Sequence, residues 1–297
     1  MLARFLFPLV VISSVVGLGA AACTVDVDKY QSQQGALSQD AGAFTFLDVR
    51  FKATEMVSHI GEYFEMRIVD KDDQVVAKLA YKGVTNQDFT LFFKSVVPKV
   101  NPPYRIDYWA DHNTNHDGRY GGIVGGINEK DHAWRRILQD PLPADIVFTP
   151  PRYDFKFVHD TNFVDIATSL SGTKSKIDFN GAILNPFNLS VTGGAKYLGK
   201  MIESRVVEKA TGRMVGFYRL GALADTQTFT VTDILDEQTT YVVSTYVDMN
   251  GDEKFNTDEP AYKVEMISDS KGISGTLDLG GESQATIDNG DSDLAPL

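Results

Sequence analysis

The sequence predicts an all-β protein built as two tandem antiparallel β-sandwich domains related by internal duplication. Three observations carry this reading. Short segments alternate apolar and polar residues with period two, the mark of half-buried strands. Turn signals such as "DKDDQ" and "EKATGR" separate them, and no long helical pattern intervenes. Finally, "HIGEYFEMRIVDKDDQVVAKLAY" from His59 aligns with "YLGKMIESRVVEKATGRMVGFYR" from Tyr197. A duplicated supersecondary plan is the simplest account of that match.

The chain opens with "MLARFLFPLVVISSVVGLGAAAC". One basic residue, Arg4, precedes an apolar run that ends in small residues at Cys23, so residues 1–22 read as a secretory signal. Ala20-Ala21-Ala22-Cys23 resembles the bacterial lipobox, with Ala20 where that motif prefers Leu. The resemblance implies that Cys23 is lipidated, that the protein is exported and held in the bacterial envelope, and that Thr24 directs it to the outer membrane in a diderm. The alternative is an ordinary cleavage near Ala-x-Ala. Cys23 is the only cysteine, so no intramolecular disulfide can form.

Residues 23–43 are Gln/Ser-rich and read as a flexible tether. The first domain is placed at 44–168 and the second at 176–282, with "SLSGTKS" between them; residues 283–297 read as a disordered acidic tail. In the first copy Tyr104, Ile106, Tyr108 and Ala110 alternate with Arg105, Asp107 and Trp109. In the second, Tyr241, Val243, Thr245 and Val247 alternate with Val242, Ser244 and Tyr246. Glu65 falls on Glu203, Arg67 on Arg205, Asp111 on Asp248 and Asn113 on Asn250. Only "EKDHAWRRIL" looks able to form a helical turn or two.

The strand "TYVVSTYVDMNGDEKF" resembles bacterial immunoglobulin-like and transthyretin-like modules, in which a strand runs into Asp-x-Asn-Gly. That resemblance implies a sandwich fold and an adhesive or structural role. Within this loop Asp248, Asn250, Asp252, Lys254, Asn256 and Glu259 occupy positions one, three, five, seven, nine and twelve of an EF-hand-type calcium loop. Lys254 would contribute its backbone carbonyl. Glu253 stands at position six, where that loop wants Gly. Calcium is therefore expected here, and a metal-free Asx-rich turn is the alternative. The first-copy loop offers Asp111, Asn113, Asn115 and Asp117 at similar spacing, with Gly122 in place of the twelfth acid.

All five histidines, His59, His112, His116, His132 and His159, lie in the first half. Imidazole suits zinc, copper, nickel or iron. The histidines are a candidate transition-metal site, copper or zinc, or else hydrogen-bonding groups in turns. Trp109 and Trp134, with Tyr104, Tyr108 and Tyr120, form either a ligand-binding aromatic face or a core.

The net charge of −12 repels nucleic acid and anionic lipid headgroups and attracts cations. The sequence has no Gly-x-Ser-x-Gly, no His-Glu-x-x-His and no phosphate-binding loop. The functional expectation is thus a lipid-anchored envelope protein, not an enzyme, that binds a protein or glycan partner through calcium-stiffened sandwiches. The alternatives are a periplasmic transition-metal binder and a carbohydrate-active hydrolase.

Overall fold

The structure is a computed structural model that describes residues 46–98, 104–113, 116, 118–121, 130–138, 146–148, 151–175, 185–231 and 234–281. The strands of the first half are β1 (Phe46–Thr54), β2 (Tyr63–Val69), β3 (Val75–Lys82), β4 (Phe89–Pro98), β5 (Tyr104–Ala110), β6 (His132–Leu138), β7 (Ile146–Phe148) and β8 (Pro151–Val158). Those of the second half are β9 (Phe187–Thr192), β10 (Met201–Glu208), β11 (Met214–Leu220), β12 (Gln227–Val231), β13 (Thr240–Asp248), β14 (Ala261–Ile267) and β15 (Ile273–Asp278). Two 3-10 turns, Val57–His59 and Gly194–Tyr197, precede β2 and β10. Among the described residues there is no α-helix, and the protein is all-β.

One eight-stranded sheet, β14-β13-β10-β11-β3-β2-β5-β6, runs through both halves. It is antiparallel except at its middle, where β11 and β3 pair in parallel from Gly216↔Lys78 to Leu220↔Lys82. Two small sheets, β4-β1-β8-β7 and β12-β9-β15, pack against it. In each, the middle strand has one antiparallel and one parallel neighbour: β1 with β4 and β8, β9 with β12 and β15. From the outer edge inward, the large sheet reads β6-β5-β2-β3 on one side and β14-β13-β10-β11 on the other. The two halves thus enter the large sheet in the same strand order, while their small sheets differ, with four strands in the first and three in the second.

Three expectations are corrected. The first is that of two separate sandwiches: β5 and β13 belong to the same continuous sheet, and the described residues of both halves lie in one compact unit. The reason lies in "VVAKLAY" and "MVGFYRL", which carry apolar residues on both faces. An exposed edge of that kind is a liability, and pairing β3 with β11 removes two such edges. The second is the purely antiparallel sheet, since three strand pairs are parallel. The third is the helical turn at "EKDHAWRRIL": residues His132–Leu138 form the edge strand β6, in register with β5 from Ala110↔His132 to Tyr104↔Leu138. Burial of Ala133, Trp134 and Leu138 against the sheet overrides a weak helical propensity. The signal, Cys23, the tether and the tail lie outside the described residues.

The two small sheets cover opposite faces of the large one. On β3, Leu79 and Tyr81 enter the first core and Ala80 the second; on β11, Phe217 enters the first and Tyr218 the second. Phe51 centres the first core, with the rings of Phe155 and Tyr108 at 5.1 and 5.2 Å. The face of each half turned away from its own small sheet is polar yet buried. There Glu65 pairs with Arg67 at 2.5 Å, and Glu203 with Arg205 at 2.7 Å and Arg219 at 2.6 Å. The repeated Glu-x-Arg of the sequence is therefore a repeated buried ion pair. Burial alone would raise the Glu65 carboxyl, but Arg67 and Lys78 outweigh it and hold it down at about 2. Segment 160–175 is fastened over this face, with Arg135 donating to the carbonyls of Ile166 and Thr168 and to Asp107.

Both tryptophans are in the first half, so their fluorescence reports on that half alone. Urea unfolding followed by fluorescence and by far-ultraviolet circular dichroism is expected to give coincident single transitions, because the sheet is shared. Arg219→Ala leaves Glu203 buried with Arg205 as its remaining cationic partner. It should cost about 3–5 kcal/mol in the same measurement.

Candidate metal centre

Four histidines meet at one end of the first half because the topology places four chain segments there. The start of β2, the end of β5 and the start of β6 are adjacent through antiparallel pairing. The end of β8 joins them beside the end of β1, where the His159 N–H donates to the Thr54 carbonyl at 3.0 Å. His59 closes the 3-10 turn before β2. That turn is tied down by Met56 N–H to the Gln87 carbonyl and Gly61 N–H to the Val84 carbonyl. Gly61 has φ +86°, a conformation that would strain a side chain. His112 follows β5, and His132 begins β6 directly opposite Ala110.

His59 is wholly buried, His132 is 4% exposed, and His112 and His159 are half-buried at the rim. His59, His112 and His132 each offer one ring nitrogen within 4.8 Å of the others, so these three can hold a metal ion. His59 Nε2 lies 3.1 Å from His159 Nε2 and 3.3 Å from His132 Nδ1. Metal–nitrogen bonds of about 2.0–2.1 Å in a tetrahedral zinc site put neighbouring ligand nitrogens roughly 3.3–3.4 Å apart, a spacing close to these.

Glu62 organises the cluster. Its Oε2 accepts from His59 Nδ1 at 2.7 Å, and its Oε1 accepts from His112 Nδ1 at 2.7 Å. With both Nδ1 protons directed at this carboxylate, the Nε2 lone pairs of His59 and His112 are left for another partner. Burial pushes the Glu62 carboxyl up, but the hydrogen bonds and charges of His59 and His112 outweigh it and hold it below its ordinary value. Burial, with His59 and His112 nearby, lowers His159 below the usual histidine value. The walls are aromatic: Phe163 lies flat on His132 at 4.0 Å, and Trp134 meets His59 edge-on at 5.8 Å.

Sequence reasoning singled out all five histidines but not Glu62. Its only signal is the three-residue offset from His59, which lets one turn bring the two side chains together. His116 stays outside the cluster, exposed, with Nδ1 donating to the Asp111 carbonyl at 2.9 Å. In the first-copy loop Asp111 Oδ2 accepts from Gly118 N–H, and Asn113 Nδ2 donates to Asp131. Asn115 and Asp117 lie outside the described residues. Trp109, Trp134, Tyr104, Tyr108 and Tyr120 are buried and serve as core rather than as an aromatic binding face.

In the second half the corresponding end carries the loop after β13. Asp248 accepts from the N–H groups of Gly251 and Glu253, and Glu259 from those of Met249 and Asn256. Asp252 takes Lys254 N–H and the Asn256 amide. Asn250 Oδ1 accepts from Asp252 N–H. Glu253 sits at φ +60°, the left-handed region its loop position requires. Its carboxylate accepts from Thr85, Asn86 and Arg219, which explains why a glutamate holds a glycine place.

No protein-family model matches the chain, and no curated protein matches it by sequence. Among solved structures, the chain is similar to a C-terminally truncated tip fimbrial protein, Mfa3, from Porphyromonas gingivalis. The identity is 10%, the match covers 76% of this chain and 83% of that one, and the TM-score is 0.22. A putative cell adhesion protein from Parabacteroides distasonis is 10% identical over 86% of this chain and 91% of its own, with TM-score 0.22. A putative adhesin from Bacteroides ovatus is 8% identical over 88% and 94%, with TM-score 0.19. All three are described as fimbrial or adhesion proteins and none as an enzyme. At such TM-scores the likeness carries no argument, and the functional reading rests on the site itself.

The folded-state values of both Glu62 and His159 lie below their ordinary ones, so the unfolded chain binds more protons as pH falls. The His159 contribution is complete above 6.5 and is lost as pH drops from there through its lowered value. The Glu62 contribution is complete above 4.5 and is lost below it. Urea unfolding in the presence of chelator should show stability falling from pH 7 to pH 5. His159→Asn should flatten that slope, and Glu62→Gln the slope below pH 4.5.

Proposed function

We propose that this protein binds a transition-metal ion, copper or zinc, at the envelope of a bacterium. One observation carries the reading: His59, His112 and His132 each offer a ring nitrogen within 4.8 Å of the others, with a single carboxylate, Glu62, orienting two of the rings. His59 Nε2, His112 Nε2 and His132 Nδ1 would be the ligands, and His159 Nε2 would enter as a fourth. A set of neutral imidazoles without thiolate suits copper, zinc or nickel and not calcium. The site lies in one half only, since Tyr197 and Met249 stand where the first half has His59 and His112. We read the halves as products of one duplication, with the metal site arising in one copy. Export and attachment through a lipidated Cys23 are supported by the apolar N-terminal segment and its small-residue ending. A binding role rather than catalysis, and metal binding ahead of adhesion to a protein or glycan, is the choice the geometry supports.

The loop of Asp248, Asn250, Asp252 and Glu259, with the Lys254 carbonyl, is the second proposed site, for calcium. In its favour, positions one and twelve, Asp248 and Glu259, are buried at the two ends of one loop. Burial, with Asp248 adding to it, raises the Glu259 carboxyl, and a dication would relieve that pair.

Elemental analysis of the chain spanning residues 24–297 after loading with copper or zinc and desalting tests the first site. One equivalent is expected, lost in His59→Ala and in His132→Ala but retained in His116→Ala. Glu62→Gln should weaken binding by about 10–100-fold. Absence of stoichiometric metal, or equal retention in the His59 and His116 variants, would overturn the reading.

A further inference from the structure

We infer that a basic cleft on the outer face of the first small sheet binds a small phosphate monoester in its dianionic form. The cleft encloses about 420 Å³ and is lined by Arg50 and Lys52 of β1, Thr90 of β4, Asp154 and Lys156 of β8, and Lys254 of the loop after β13. That volume is within the range of about 300–1,000 Å³ typical of small-molecule sites. Its charge is opposite to that of the chain, which carries 40 acidic against 28 basic residues.

The parallel register of β1 and β8 shows where the excess charge arises. Asp48 lies beside Arg152, Arg50 beside Asp154, and Lys52 beside Lys156. The first two pairs are opposite charges, and Arg50 is bound to Asp154 at 2.5 Å. The third is a like-charge pair, an arrangement that destabilises neighbouring strands. Among the described residues no carboxylate lies within salt-bridge distance of Lys52, Lys156 or Lys254. Asp252, two residues from Lys254, is exposed, takes the Asn256 amide and the Lys254 N–H, and feels the Lys254 charge, so Lys254 is partly met from its own loop while Lys52 and Lys156 are not.

Lys254 comes from the other half of the chain, and its presence in the cleft is enforced. The preceding residue, Glu253, is held by Thr85 and Asn86 of the first half and by Arg219. Lys52, Lys156 and Lys254, all exposed, thus line one hollow together with Thr90. A dianion cancels the Lys52–Lys156 repulsion and accepts from all three. The net charge of −12 opposes every anion, but it opposes the extended charge of an anionic bilayer more than a single small dianion held in the cleft, so a soluble ester is the source the proposal commits to.

The test is calorimetric titration of residues 24–297 with inorganic phosphate, ionic strength being held constant with sodium chloride. Saturable one-site binding is expected. Lys52→Gln with Lys156→Gln should weaken it at least tenfold and Lys254→Gln several-fold. Lys209→Gln, which removes an exposed lysine paired with Glu265 elsewhere, should leave it unchanged. No saturable binding, an unchanged double variant, or equal weakening by Lys209→Gln would overturn the proposal. So would sedimentation with phosphatidylglycerol vesicles when free phosphate does not bind.

Discussion

The parallel pairing of β3 with β11 is the constraint on which the molecule depends. Among the described residues it is the one place where strands of the two halves form a ladder, and it makes the middle of the large sheet a wall with a core on each side. Because side chains alternate along a strand, one residue of β11 serves the first core and the next serves the second. Strands covered on both faces lose the clean alternation of a half-exposed strand. That explains why all seven residues of β11 are buried. A consequence is that neither half presents a complete sandwich alone. Phe217 and Met214 of the second half complete the first core, and Ala80 of the first half enters the second.

The same pairing explains the placement of charge. Arg219, on β11, faces the first core beside Tyr81 and Phe217, where an unpaired guanidinium would be costly. It is satisfied by Glu203, by the Thr90 carbonyl and by Glu253. Those partners come from β10, from β4 and from the loop after β13. One buried cation therefore ties the second half's loop to the first half's edge strand. The loop's strained Glu253 and the position of Lys254 both follow from that attachment.

Much of this was legible in the sequence, for physical reasons that differ between residues. The strands at Tyr104–Ala110 and Tyr241–Val247 show themselves by period two, and the repeated Glu-x-Arg at Glu65 and Glu203 marks one plan used twice. What could not be read was which edges join. "VVAKLAY" and "MVGFYRL" carry apolar residues on both faces, but nothing local says that each covers the other. Strand β6 was misread because "EKDHAWRRIL" has helix-tolerant residues, and only its neighbour β5 settles its state. In the site, the histidine excess of the first half was visible, while the exclusion of His116 was not. His116 lies four residues beyond His112, but the loop carries it out to solvent at φ +42°. Glu62 was passed over because one acid among 40 has no signature until its neighbours are known.

The arrangement around Glu62 bears on whether four imidazoles are better explained by hydrogen bonding alone. A neutral imidazole offers one donor and one acceptor. His59 spends its donor on Glu62 Oε2, which leaves a single lone pair on Nε2. Two ring nitrogens, of His159 and His132, lie within 3.3 Å of that one atom. One lone pair serves one good donor along its axis, so His59 Nε2 cannot accept equally well from both neighbouring rings. Protonating more of the rings would supply donors but would crowd positive charge where burial and mutual repulsion already drive His159 toward its neutral form. A cation bound among these rings would draw on their lone pairs together instead of setting them against one another. Its two positive charges are met by the Glu62 carboxylate and, at longer range, by a chain of net charge −12. The acid that orients the rings is thus also the nearest charge that favours what the rings would hold.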